Sequence, residues 1–169
     1  GTQATQESQK TWNIMFHSLP SFGRLHLWSD SDRFEKVITR GCWPLHPLAT
    51  WFLTRQKEIV QSRSALTFIK EAIASVQEEQ AVVGSHLRQI SVSELVLQSM
   101  LPEILAAEQA TGAVVAETLQ MLLSKFEGHL THHQRLALVG IAIVEKMRVG
   151  RHSKPNMDLL LQHATLLST

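Results

Sequence analysis

Two prolines, Pro44 and Pro47, bracket Leu45-His46, and no single helix can run through the segment that holds them. Each pyrrolidine ring removes a backbone donor and clashes with the preceding turn. Pro47, however, suits the first turn of a new helix, where its missing N–H costs nothing. The break sits in Gly41-Cys42-Trp43-Pro44-Leu45-His46-Pro47-Leu48-Ala49-Thr50-Trp51-Phe52-Leu53, which also carries the only cysteine, a histidine and two tryptophans. The chain must therefore turn here, and the turn must be wrapped in apolar surface.

On either side the pattern is helical. Trp12, Met15, Phe16 and Leu19 recur at helical spacing and stop at Pro20. Ser31-Asp32 opens a short helix with Phe34, Val37 and Ile38 on one face and Gly41 as its stop. Pro47 starts a helix reaching about Arg55, with Leu48, Trp51 and Phe52 inward. Gln56 to Gln61 reads equally as a break or a continuation. Ser62 or Ser64 caps a helix whose inward side is read as Leu66, Ile69, Ile73 and Val76. Val82-Val83-Gly84 is a turn or a short extended piece.

Ser91 with Glu94 three residues later forms a capping-box pattern ahead of the apolar run Leu95 to Leu105, which Pro102 divides. Ala113 to Phe126 is an amphipathic helix closed by Gly128. Thr131 and Gln134 form a second capping box, opening Leu136 to Val144, the most apolar run and hence the expected central helix. Asn156 caps a last helix, Met157 to Leu167.

Without a long alternating run, the fold class is all-α, an irregular bundle of about seven to eight helices. Residues 1–10 read as a disordered polar segment and 11–169 as one helical domain, with a finer division into two subdomains meeting near 78–92. Of the 169 residues, 44% are hydrophobic, enough for a buried core. The net charge of +1 gives no electrostatic case for a nucleic-acid or membrane partner. No apolar run reaches the roughly 18 residues needed to span a bilayer. A single cysteine fits a reducing compartment, so the chain is read as cytoplasmic. The start Gly1-Thr2-Gln3, with no methionine, reads as an excised piece of a larger protein or as a processed tag scar.

The chemistry-bearing residues are sparse. His129, His132 and His133 are close in sequence, but Gly128 and the Thr131 cap put a helix boundary among them, and no nearby carboxylate supplies a third ligand. They read as exposed histidines of a first helical turn, and no metal site is assigned. Cys42 and His46 lack the third group that would hold a base against a nucleophile, so Cys42 reads as a small apolar residue. Neither Gly-x-x-x-x-Gly-Lys-Ser/Thr nor Gly-x-Gly-x-x-Gly occurs, so no phosphate loop is present and no catalytic residue is assigned. Glu78-Glu79 reads as a solvated pair. Lys146, Arg148, Arg151, His152 and Lys154 gather at a helix C-terminus, where cations oppose the helix dipole. A phosphate-binding loop is the sharper alternative for that cluster.

Pro44-Leu45-His46-Pro47, preceded by Gly41-Cys42-Trp43 and followed by an apolar helix, resembles a motif of large bacterial AAA+-like P-loop ATPases, several of them from phage-defence systems. Val60-Gln61-Ser62-Arg63-Ser64-Ala65-Leu66-Thr67-Phe68-Ile69 resembles the segment that follows the motif in those proteins. The likeness covers about residues 34–70. It implies a lid-like helical region behind an ATPase core, not itself catalytic, that couples nucleotide state to a partner or neighbouring subunit. It also implies ATP and magnesium in the full-length protein and an upstream ATPase core or another subunit as partner. Arg63 and Arg40 would approach the nucleotide phosphates, since a planar, always-charged guanidinium suits phosphate. His46 would lie near the same site, with Pro44 and Pro47 setting the turn. The residues alone leave open an independent helical protein-interaction module.

Overall fold

A computed structural model describes Gln3, Gln6, Lys10 and residues 30–56, 65–84 and 86–146. The expected helices Thr11 to Leu19 and Met157 to Leu167 lie outside the described residues, as do the caps Ser62, Ser64 and Asn156. The described residues are mostly helical and form six helices, against the expected seven to eight for the whole chain.

Helix α1 begins as Ser31–Arg33 and widens into the π-helical stretch Phe34–Arg40. Asp30 caps it, accepting from the amides of Asp32 (3.0 Å) and Arg33 (3.3 Å). Phe34 and Ile38 are buried as expected, whereas Val37 faces solvent. The i→i+5 turns change the angular step, which keeps residues four apart aligned and rotates the third away. Helix α2 spans Pro47–Arg55 and buries Leu48, Ala49, Phe52 and Leu53, with Trp51 half-buried against the same core.

Helix α3, Ala65–Val76, buries a different stripe from the one expected. Phe68, Ala72 and Val76 point inward, with Ile69 at the margin, while Leu66 is 65% exposed and Ile73 also faces out. Both stripes recur at helical spacing, so spacing alone does not choose between them.

After α3 a two-residue antiparallel ladder, β1 (Val82–Val83) with β2 (His86–Leu87), folds the chain back. Helix α4 then runs as Val92–Leu95, a π-helical stretch Val96–Met100 and Leu101–Thr111. Pro102 does not split it: the proline falls in the first turn of the last stretch, just after the widened turns. Gly112 ends α4 at φ 72°, a left-handed conformation that a side chain would oppose.

Helix α5 is Val115–Lys125 and α6 is His132–Lys146. The sequence makes α6 the central helix, but it buries one face only (Leu136, Val139, Gly140, Ile143) and leaves Ile141 in solvent. The central element is instead the start of α4. Every residue from Ser91 to Val96 is buried, and this turn packs on α2, α3 and α6. The hydrophobic cluster around it runs without interruption from Phe34 to Ile143. No helix among the described residues is long and apolar enough to cross a membrane.

Candidate functional site: the turn ahead of Pro47

Gly41 closes α1 for a reason other than left-handed geometry. Its φ is −72°, but a Cβ there would stand 2.5 Å from the Val37 carbonyl oxygen. The chain turns through Gly41 to Pro44, with a cis peptide bond between Trp43 and Pro44, and the Leu45 amide donates to the Cys42 carbonyl (2.9 Å). Leu45 then forms a parallel bridge with Ile90. The His46 amide donates to the Ile90 carbonyl (2.9 Å), and the Ile90 amide donates to the Pro44 carbonyl (2.8 Å). Ile90 immediately precedes the Ser91 cap of α4. The turn ahead of α2 and the foot of the central helix are thus one hydrogen-bonded unit.

His46 is the N-cap of α2. Its Nδ1 accepts from the Leu48 amide (3.2 Å), and its carbonyl accepts from Ala49 (2.8 Å) and Thr50 (3.2 Å). The ring is 5% exposed, and burial pushes its pKa from 6.5 down to about 4. It is therefore neutral near pH 7, and because Nδ1 accepts, the proton rides on Nε2. With Nδ1 committed to the cap, that nitrogen is not a base for the half-buried Cys42.

An open groove of about 500 Å3 lies beside the turn, between α2 and α3. Its walls are mainly apolar, with Cys42, Trp43 and Leu45 of the turn, Leu53 of α2, and Ile69 and Ile73 of α3 among the lining residues. Trp43 stands 44% exposed at its edge.

Of the residues singled out as nucleotide-proximal, Arg40 and His46 flank this turn, Arg40 closing α1 and His46 opening α2. Arg40 is exposed and ion-paired to Glu35 (2.6 Å). Arg63 lies outside the described residues, as do Arg148, Arg151, His152 and Lys154. Pro44 ends the turn and Pro47 is the first residue of α2, the positions their ring geometry favours. His129 sits in the turn after α5, and His132 and His133 open α6, their rings 6.2 Å apart edge to face. Among the described residues no three His, Cys, Asp or Glu side chains are grouped to hold a metal ion.

Two charged clusters escaped the sequence reading. Arg88 makes a two-pronged contact with Glu94 (2.5 and 3.3 Å), pairs with Glu79 (2.6 Å) and donates to the Gln89 carbonyl. Glu79 is thus ion-paired, not simply solvated. Burial pushes the Glu94 carboxyl up, but Arg88 and the donors of Ser91 outweigh it and hold the pKa below the usual value. The second cluster is Glu108, 2% exposed, whose Oε2 accepts from the Ala116 amide (2.6 Å) and whose Oε1 pairs with Lys146 (2.7 Å). The Ser91–Glu94 capping box was a signal for the first cluster. The second left none, because its partners are far apart in sequence.

No protein-family model, curated protein sequence or solved structure matches this chain.

Proposed function

We propose that this chain is a non-catalytic helical region of a larger P-loop ATPase, of the AAA+-like kind found in bacterial defence systems, working in the cytoplasm. In this reading it serves as a lid-like element that couples nucleotide state to a neighbouring subunit or partner. The reading rests on the Trp-Pro-Leu-His-Pro segment and on the Gln-Ser-Arg-Ser segment that follows it. One geometric observation supports it. The Pro44–His46 turn is hydrogen-bonded on both sides of Ile90, so a force on the turn passes directly to the foot of the central helix. A rigid turn joined to a rigid helix is what a coupling element needs.

The described residues do not themselves fit ATP and magnesium. The Arg40 guanidinium is held by Glu35, and the His46 ring is buried and engaged at the cap. The nucleotide and its metal therefore belong, in this reading, to an upstream core carrying its own phosphate loop. No step of hydrolysis is assigned to these side chains beyond an approach of Arg63 to the phosphates.

The competing reading is an independent helical module that binds a protein partner, and the apolar groove beside Trp43 favours it. The full-length open reading frame separates the two: a phosphate-loop motif upstream supports the ATPase reading, and a start codon just before Thr2 removes it. In a full-length ATPase, Arg63→Ala is expected to lower ATP hydrolysis by about 10-fold or more while the fold survives. Unchanged hydrolysis removes Arg63 from the nucleotide site.

A further inference from the structure

Glu108 is the most deeply buried carboxylate among the described residues, and neither functional reading uses it. It lies near the C-terminal end of α4 and divides its two oxygens between two other helices. Oε2 accepts from the Ala116 amide in the first turn of α5, whose own N-cap, Val114, offers no side-chain acceptor. Oε1 holds Nζ of Lys146, the last residue of α6. The start of α5 and the end of α6 therefore share one carboxylate, although their contact residues are far apart in the chain.

We infer that Glu108 is a conformational latch, through which release of the C-terminal end of α6 loosens the N-terminal turn of α5. The physics is that of a buried ion losing its counter-ion. With Lys146 in place, the carboxylate is neutralised and can stay dry while it caps α5. Once Lys146 moves away, an unpaired charge remains in the interior. It is relieved by letting water in, and water then competes for the same oxygen that holds the Ala116 amide. The latch does not depend on the ATPase reading. Any partner that draws the end of α6 away from the core would send the change into α5.

Amide hydrogen exchange on the full 169-residue chain tests this. Lys146→Met is expected to speed exchange of the Ala116 amide by about 10-fold or more, along with the last turn of α6, and to leave the Glu94 amide unchanged. Lys146→Arg should restore protection at both ends. Glu108→Gln should separate them, because its amide oxygen still caps α5 but no longer attracts Lys146: α6 loosens and Ala116 stays protected. The Glu108→Gln, Lys146→Met double variant has no buried ion and should keep Ala116 protected. The inference is overturned if Lys146→Met frees only the end of α6. It is equally overturned if Glu94 and Ala116 lose protection by the same factor, since that is global destabilisation.

Discussion

The amide of His46 donates to the carbonyl of Ile90 at 2.9 Å, joining residues that helices α2 and α3 and the β1–β2 ladder separate along the chain. Each is the last step before a helix start: His46 caps α2, and Ile90 leads into the Ser91 cap of α4. The two helices are anchored to one another at their N-terminal ends, where their unpaired amides need acceptors.

Acid should act on this junction through His46. Burial holds its pKa at about 4 in the folded chain, below the unfolded value near 6.5. As pH falls below 6.5 the unfolded chain therefore takes up a proton first, and stability is lost until pH reaches about 4. Between pH 7 and 5 the loss is about 2 kcal/mol from this residue. Urea unfolding at the two pH values measures it. His46→Asn keeps a cap acceptor without the titration, and its stability should vary correspondingly less over the same range.

The two capping boxes make a matched comparison. Ser91 is fully buried, and Glu94 returns the bond to its amide (2.8 Å). Thr131 forms the same pair with Gln134 in solvent. Ser91→Ala is expected to cost about 2 kcal/mol and Thr131→Ala about 0.5 kcal/mol, because water replaces only the exposed acceptor. Denaturant midpoints that fall in the opposite order would contradict this account.

Gly41→Ala places a methyl group 2.5 Å from the Val37 carbonyl oxygen, a backbone atom that cannot step aside alone. A loss of about 1–3 kcal/mol is expected, although the φ of −72° suits alanine. A thermal melt unchanged by the substitution would show that the end of α1 gives way freely.

Arg88→Met strands the buried Glu94 carboxylate and should cost about 1.5–3 kcal/mol near neutral pH. The Glu94 pKa is depressed in the folded chain, so its contribution is present above the unfolded value of about 4.5 and fades as pH falls through the folded value. The gap between wild type and Arg88→Met should therefore narrow below about pH 4.5, as followed by guanidinium unfolding across the acid range.

The features legible in the sequence were local ones. Pro47 begins α2, and the Ser91–Glu94 and Thr131–Gln134 boxes form as their spacing predicts. Each is decided within a few residues, by a ring closed on its own backbone or a side chain reaching an amide three positions away, so the sequence by itself determines them. The faces were less legible. In α3 the stripe through Leu66 and the stripe through Phe68 both keep helical spacing, and only the packing of α4 against the helix decides that Phe68 goes inside. The same is true of α6, whose apolar run reads as central until the Ser91 turn occupies that place. The turn around Pro44 shows both sides of the matter. Its prolines require a break in the helix, which is chain chemistry. That the break is hydrogen-bonded to Ile90, and that Glu108 meets Lys146, depends on distant segments arriving at one point. Only the tertiary structure decides that, because burial rewards any apolar stripe equally until its neighbours are in place.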